Sequence, residues 1–361
     1  MITYADIDKL RHTRTGEPAV LSVYLRVPLD PTGQRELRAR AGDLIGTARG
    51  YVPEEDRNAV AALLAARGCQ WLGKTVAIFA SGELSLLEAL PLRCPLHECA
   101  VLAARPYIRP LLTAIQRCPA YHVAIIDSGD GWLMSVDDEL SVTSLPLARL
   151  DRAQSFGGWY GLDSWRVRRR TIQRVRVRYR AVAQLLADAA RAGGPVVIGG
   201  HPESIPQLLR LLPDEARARY AGSFAADAHT LTPARARELA DKVIADWCRR
   251  LEQRLADEVN GKPPGVAVGL QACLAAVNDG AISTLLVPDD GTTPGFMCAR
   301  CGTLSVTDDQ CPDWGTAAIA VPDLLEEMAC RVLDDAGQVM TVGIDGFEVA
   351  ARLRFPLSGS R

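Results

Sequence analysis

The sequence contains no long run of apolar residues, and residues 1–20 do not have the pattern of a signal peptide. We therefore expect a soluble, cytoplasmic protein with no membrane partner. The net charge is also small, because 41 basic and 43 acidic residues give a formal charge of −2. This balance excludes a protein that coats nucleic acid indiscriminately, so any nucleic-acid contact must come from a local patch. Hydrophobic residues make up 48% of the chain, which indicates filled globular domains rather than disorder.

Lysine is scarce, because nearly all of the 41 basic residues are arginines. Genome composition explains this ratio as well as function does, so only the clustering of arginine is informative. Residues 165–180 contain eight arginines and no acidic residue. The eight are Arg166, Arg168, Arg169, Arg170, Arg174, Arg176, Arg178 and Arg180. Without interleaved carboxylates these charges repel one another, and a nearby polyanion would relieve the repulsion.

The arginine cluster has the periodicity of an α-helix. Apolar side chains recur at helical spacing and fall on one face, at Val175, Tyr179, Val182 and Leu186. Arginines line another face, at Arg166, Arg170, Arg174 and Arg178. Asp163 and Ser164 are predicted N-cap residues, and Gly193 with Gly194 is predicted to end the helix. One face can therefore pack on a core while the other meets an anion.

A glycine-rich loop precedes the helix and carries two aromatic residues. Gly157, Gly158 and Gly161 permit backbone conformations barred to other residues, and Trp159 and Tyr160 lie between them. Two interpretations stay open. In one, the helix lies on the surface and its arginines pair with carboxylates elsewhere. In the other, which we favour, the helix binds RNA, because the planar guanidinium binds phosphate in a bidentate manner and stacks on bases.

A chain of 361 residues is too long for one core, and its pattern divides into three parts. Residues 1–118 alternate helix and strand patterns and form a predicted N-terminal α/β domain. Residues 119–260 contain the loop and the arginine helix, and their element order predicts a parallel or mixed sheet covered by helices. The proline- and glycine-rich stretch 261–265 is the clearest linker. Residues 261–361 form a third, smaller α/β domain, which is predicted to begin with a helix over 266–277.

The third domain contains an inserted cysteine motif. Cys298 and Cys301 are separated by two residues, which is the ligand spacing of a zinc knuckle, and Cys311 follows. Trp314 stands where a fourth cysteine is expected. The candidates for a fourth, oxygen ligand of Zn²⁺ are Asp308, Asp309 and, in the set we favour, Asp313. Three cysteines and one carboxylate make an unusual structural site, so a zinc site and a degenerate knuckle that has lost its ion both stay open.

The order of these features resembles the archaeo-eukaryotic class I release factor and Pelota family, and most of all the bacterial branch that includes the hibernation factor Balon. The resemblance covers most of the chain. Its motifs are the glycine pair 157–158 before the basic helix, the strand PVVIG at 195–199, and the segment VGLQACLAAVNDGAISTLLVPDD at 268–290 followed by the CxxC element. It implies a three-domain, release-factor-like architecture of mixed α/β class with a degenerate zinc-knuckle insertion.

Two departures from the family pattern limit what the resemblance implies. Peptide-releasing members carry a Gly-Gly-Gln tripeptide whose glutamine helps water attack the ester bond, but here Trp159 follows the two glycines. An indole has one donor and no comparable acceptor, so it cannot position water as a carboxamide does. The first domain also lacks the Asn-Ile-Lys-Ser tetrapeptide that reads stop codons. We therefore expect no hydrolysis by that mechanism and no codon recognition.

The resemblance implies a factor that binds the ribosomal A site and contacts 16S and 23S rRNA, chiefly through phosphates. The first domain would face the decoding centre, and the loop 157–161 would face the peptidyl transferase centre. The third domain would meet the stalk base or a translational GTPase such as an elongation factor of the Tu type, and we expect a monomer. The first hypothesis is a non-catalytic hibernation factor that inhibits idle ribosomes under stress. A peptidyl-tRNA hydrolase and a Pelota-like rescue factor for stalled ribosomes are the alternatives.

Overall fold

The computed structural model describes residues 2–126, 131–137, 140–145, 161–227, 230–261, 263–307, 310–311 and 314–355. The chain divides into two compact units. The first unit combines Met1–Arg117 with Leu251–Arg361, and the second unit is Cys118–Arg250. The division into three domains stays a prediction. Among the described helices, none combines the length and the apolar surface that crossing a membrane requires.

The N-terminal part of the first unit is an antiparallel sheet with helices packed on it. Its elements are α1 (Tyr4–Arg11), β1 (Val20–Arg26), α2 (Pro31–Gly46), α3 (Glu54–Arg67), a 3-10 turn (Gly68–Trp71), β2 (Thr75–Ser81), β3 (Leu86–Leu92), β4 (Cys99–Ala103) and α4 (Arg109–Arg117). The strand order is β3-β2-β1-β4. Leu21, Val23 and Leu25 of β1 alternate with residues of the other face and share a core with Val60 and Leu64 of α3.

The second unit is a five-stranded mixed sheet with helices on both faces. Its elements are β5 (Tyr121–Ile126), β6 (Gly131–Val136), β7 (Leu140–Leu145), α5 (Gly161–Ala192), β8 (Val196–Gly200), α6 (Ser204–Leu209), α7 (Asp214–Ala218), β9 (Tyr220–Ala225) and α8 (Pro233–Asn260), whose last residues belong to the first unit. The strand order is β7-β6-β5-β8-β9, with β5, β8 and β9 parallel and the other pairs antiparallel. The predicted mixed sheet is thus confirmed.

The two faces of this sheet are covered by different helices. Ala124 and Ile126 of β5 lie in a core with α5, while Val123 and Ile125 lie in a core with α8. The alternation follows from the two-residue period of a strand. β5 therefore sits between α5 and α8.

The C-terminal part of the first unit contains two small sheets. Its elements are β10 (Val266–Val268), α9 (Leu270–Asn278), β11 (Ile282–Pro288), β12 (Gly295–Cys298), β13 (Leu304–Ser305), β14 (Ala318–Val321), α10 (Leu324–Asp334), β15 (Gln338–Val342) and β16 (Ala350–Leu353). One sheet has the order β10-β16-β11-β15, and the cysteine motif lies on the other, β13-β12-β14. The predicted mixed α/β class is confirmed in both units.

The predicted helix over 266–277 was wrong at its beginning. β10 is a strand that pairs antiparallel with β16, and only from Leu270 onward is the segment helical. Gly269 separates them with a φ of +87, a left-handed value that favours glycine. Hydrophobic periodicity alone does not distinguish a short apolar strand from the first turn of a helix.

The two parts of the first unit meet at a buried polar cluster. Arg109, at the start of α4, pairs with Asp323, the N-cap of α10, at 3.0 Å between Nη2 and Oδ2, and each side chain is 1% exposed. The Tyr107 hydroxyl donates to the same carboxylate at 3.1 Å and accepts from Arg109 Nη2 at 2.6 Å. The guanidinium also donates to the carbonyl oxygens of Pro288 and Gly291. A buried charge requires such a complete set of partners.

Glu326 of α10 caps the N-terminus of α4 from the neighbouring segment. Its Oε1 accepts the N–H of Ile108 at 2.7 Å, and its Oε2 accepts the N–H of Arg109 at 2.9 Å. These bonds satisfy donors that the first turn of a helix leaves without partners. Complete burial raises the pKa of Glu326 to about 7, against the opposing effect of the two N–H groups. Nearby, Arg105 and Glu327 form a second buried ion pair at 2.9 Å.

Candidate functional site

The arginine-rich segment forms one continuous helix, as the sequence predicts. α5 spans Gly161–Ala192, and Gly193 and Gly194 follow it with φ angles of +121 and +85. These values favour glycine and explain where the helix ends. The predicted N-cap was wrong, because Asp163 and Ser164 lie inside the helix, which already begins at Gly161.

The apolar face of α5 fixes the helix on its sheet. Its fully or nearly fully buried residues are Tyr179, Val182, Ala183, Leu186, Ala187 and Ala190. They pack against Ala124, Ile126, Val196 and Ile198 of β5 and β8. The predicted apolar face is confirmed at Tyr179, Val182 and Leu186, while the side chain of Val175 lies outside the described residues.

The structure describes two arginines of the cluster in full. Arg176 and Arg180 are exposed, and within the described residues neither is paired with a carboxylate. The side chains of the other predicted RNA-binding arginines lie outside the described part of the chain: Arg166, Arg168, Arg169, Arg170, Arg174 and Arg178. Gly157, Gly158, Trp159 and Tyr160 of the predicted loop also lie outside it. Gly161, the fifth residue of that loop, is the first residue of α5.

The three cysteines that were predicted as metal ligands lie close together in the first unit. The sulfur atoms of Cys298, Cys301 and Cys311 all lie within 4.8 Å of one another, and Cys301 Sγ is 3.4 Å from Cys311 Sγ. Cys298 and Cys311 are 1% and 3% exposed. The predicted fourth ligand Asp313, with Asp308 and Asp309, lies outside the described residues. The three thiols therefore form the described part of the site.

Two backbone turns of the same design hold these cysteines. In the first turn, Gly302 N–H donates to Cys298 O at 2.8 Å and Cys298 N–H donates to Thr303 O at 2.9 Å. In the second turn, the corresponding bonds run from Gly315 N–H to Cys311 O at 2.8 Å and from Cys311 N–H to Thr316 O at 2.8 Å. The two turn glycines have φ angles of +73 and +61, which favour glycine. Two backbone hydrogen bonds and the left-handed glycine of the first turn thus have counterparts in the second.

Hydrogen bonds stabilise the thiolate form at one of the three positions. The Thr316 hydroxyl, 3.5 Å from Cys298 Sγ, and the N–H groups of Cys301 and Arg300 lower the pKa of the Cys298 thiol to about 6. Thr303 Oγ1 lies 3.0 Å from Cys301 Sγ. Since a thiolate is the form of cysteine that binds metals, the hydrogen bonds prepare the cluster for a cation.

Two features of the site escaped the sequence analysis. The first is the repeat itself, CARCGT at 298–303 and CPDWGT at 311–316, in which the glycine and threonine positions agree. The second is the pairing of Arg300 with Trp314, whose ring centroid lies 3.8 Å from the Arg300 guanidinium carbon. The matching Gly-Thr pairs were the signal that could have found the second turn.

Comparison with known proteins gives matches of two kinds, and no curated protein matches. An archaeal translation termination factor, aRF1, is 14% identical, with 98% of this chain and 97% of that chain covered and a TM-score of 0.23. Dom34 of S. cerevisiae, described as a translation termination-like factor that interacts with Hbs1, is 11% identical, with 79% and 81% covered and a TM-score of 0.41. An archaeal Pelota from a ribosome-bound model with ABCE1 is 13% identical, with 98% and 94% covered and a TM-score of 0.41.

The other match is to a family model. It runs over residues 106–248, from just before α4 through the five-stranded sheet and into α8. This stretch includes the glycine pair 157–158 and the whole of α5. Over these residues the chain matches the family described as bacterial archaeo-eukaryotic release factor family 10, which supports the resemblance seen in the sequence.

Proposed function

We propose that the chain is a ribosome-associated translation factor of the release factor and Pelota type. The observation that carries the proposal is α5, a 32-residue helix anchored by an apolar face. Its sequence has eight arginines and no acidic residue over 165–180, and the two arginines described in full are exposed without a described carboxylate partner. The family match covers the same helix. Phosphate groups of rRNA are the polyanion that such a row of guanidinium groups suits.

Within this class we favour a non-catalytic factor of the Balon type, which occupies the A site of idle ribosomes during stress and blocks translation. Trp159 stands at the position of the catalytic glutamine and cannot position a water molecule as an amide does. Trp159 and Tyr160 are instead suited to stacking on rRNA bases, each worth about 1–3 kcal/mol. A translational GTPase, such as an elongation factor of the Tu type, is the proposed protein partner. Such a factor would act in the cytoplasm as a monomer.

The proposal extends to a metal ion. Cys298, Cys301 and Cys311 would hold Zn²⁺, because their sulfur atoms already lie within 4.8 Å of one another and thiolates are preferred zinc ligands. The ion would cross-link the two turns and stabilise the small β13-β12-β14 sheet. Its chemistry there is structural, and no step of a reaction is assigned to it.

Charge reversal on α5 tests the ribosome assignment. In the variant Arg168→Glu, Arg169→Glu, Arg170→Glu, we expect co-sedimentation with ribosomes to be lost. A matched control reverses three exposed arginines elsewhere in the second unit, Arg210, Arg219 and Arg249, and should retain it. Equal sedimentation of both variants with the wild type would refute the proposed role of α5. Stimulated splitting of ribosomal subunits would favour a rescue factor over a hibernation factor.

A further inference from the structure

The repeat of the two turns identifies the residue that has replaced a metal ligand. Because the two hydrogen bonds that close the first turn at Cys298 have counterparts at Cys311, we take Cys311 as equivalent to Cys298 and Trp314 as equivalent to Cys301. The first turn thus supplies two sulfur atoms and the second turn supplies one. The indole nitrogen of Trp314 carries a hydrogen and only donates, so it cannot bind a cation as a thiolate does.

A contact between Arg300 and Trp314 also links the two turns. The guanidinium of Arg300, in the first turn, lies over the ring of Trp314, in the second turn, at 3.8 Å from the centroid. The Trp314 side chain is 54% exposed and Arg300 is exposed too, so this cation–π pair lies at the surface. Three thiolates and one divalent cation together carry a net charge of −1. The guanidinium of Arg300, in the first turn, supplies a positive charge near them in sequence.

We propose that Cys298, Cys301 and Cys311 bind a thiophilic divalent cation through three thiolates and leave the fourth coordination position to a donor from outside the chain. This inference rests on the zinc site proposed above. Tetrahedral sites with four protein ligands are closed, whereas sites with three protein ligands keep a position for water or another exchangeable donor. In buffer the donor is water, and an added nitrogen or sulfur donor should replace it.

Cobalt(II) is a suitable probe, since its visible absorption reports the ligands around it. We expect Co²⁺ bound to the full-length wild type to show thiolate charge-transfer bands, and imidazole titrated into the sample to shift the spectrum. In Trp314→Cys the second turn regains its thiolate, so imidazole should leave the spectrum unchanged. Mutation of a residue that only hydrogen-bonds a metal ligand lowers metal affinity by about 10- to 100-fold. A fourth thiolate would bind the ion directly and should have at least the upper value of this effect. We therefore expect Trp314→Cys to bind Zn²⁺ at least about 100-fold more tightly than the wild type.

Two further variants separate the possible failures. Asp313→Asn should behave as the wild type, and Cys298→Ser should lose the charge-transfer bands. If the wild type ignores imidazole and Asp313→Asn responds to it, Asp313 is the fourth ligand, and the inference is overturned while the zinc site stands. If only Trp314→Cys binds Co²⁺, three thiolates do not suffice, and both the inference and the zinc proposal are wrong. Ribosome sedimentation is measured separately and does not depend on either result.

Discussion

The buried carboxyl group of Glu326 should make the stability of the first unit depend on pH in an unusual direction. Its pKa in the folded protein is about 7, against an ordinary value of 4.5, because complete burial disfavours the charged form. Between these two values the folded protein keeps a proton that the unfolded chain releases. The contribution of this group to stability is therefore fully present below pH 4.5 and is lost as the pH rises through 7. The difference corresponds to roughly 3 kcal/mol.

The substitution Glu326→Gln removes the titration and should flatten this slope. Glutamine accepts one of the two N–H bonds from Ile108 and Arg109 but turns its amide donors toward the other, so absolute stability changes as well. The slope is the cleaner measurement, because only an ionisable group contributes to it. Glu83→Gln, at an exposed position, is the matched control and should keep the wild-type slope.

Denaturant unfolding would be measured between pH 5 and pH 8. Hydrogen exchange of peptides from β1 and β11 would report the unfolding of the first unit separately from that of the second. We expect the wild type to lose roughly 3 kcal/mol more than Glu326→Gln over this range, as the linkage relation requires. Parallel curves for the wild type and Glu326→Gln would show that Glu326 keeps an ordinary pKa, and would refute the account of burial given above.

Three more predictions concern single contacts. Arg109→Ala leaves the buried carboxylate of Asp323 without its cation, so the free energy of unfolding measured with denaturant should fall by about 3–5 kcal/mol. Arg40→Ala, at a more exposed ion pair, is the control and should lower it by at most about 1 kcal/mol. Leu186→Ala, at a fully buried position on the apolar face of α5, should destabilise the second unit by about 2–5 kcal/mol in the same assay. Wild-type protein should release no labelled peptide from ribosomal complexes above background, because Trp159 replaces the glutamine; clear release would favour a hydrolase instead.

Local patterns in the sequence predicted much of the fold. The apolar run PVVIG predicted β8, and the period of the apolar face predicted α5, including its end at Gly193 and Gly194. Where the prediction was wrong, the cause was also local. Val266–Val268 is too short for the period of its apolar residues to distinguish a strand from a helix. The left-handed backbone of Gly269 separates this strand from the helix that follows.

The candidate site was predictable only in part, because its chemistry depends on pairs that are distant in sequence. The spacing of the cysteines predicted Cys298, Cys301 and Cys311 as ligands of one site, and the structure places Cys311 Sγ 3.4 Å from Cys301 Sγ. The spacing from Cys311 already put Trp314 where a fourth cysteine is expected, and the main-chain hydrogen bonds of the two turns support the equivalence of Trp314 and Cys301. No local pattern could have paired Arg300 with Trp314.

Clustering of arginines, the signal that led to α5, does not identify Arg109, which lies in the buried polar cluster of the first unit. Arg109 stands alone in the apolar run PYIRPLL, and Asp323 stands before the apolar pair of PDLLEEM. In the structure both side chains are buried and pair with each other, because a buried charge persists only beside an opposite one. Arg176 and Arg180 of α5 are instead exposed and have no carboxylate partner within the described residues, and the proposed rRNA contact assigns their partner to another molecule.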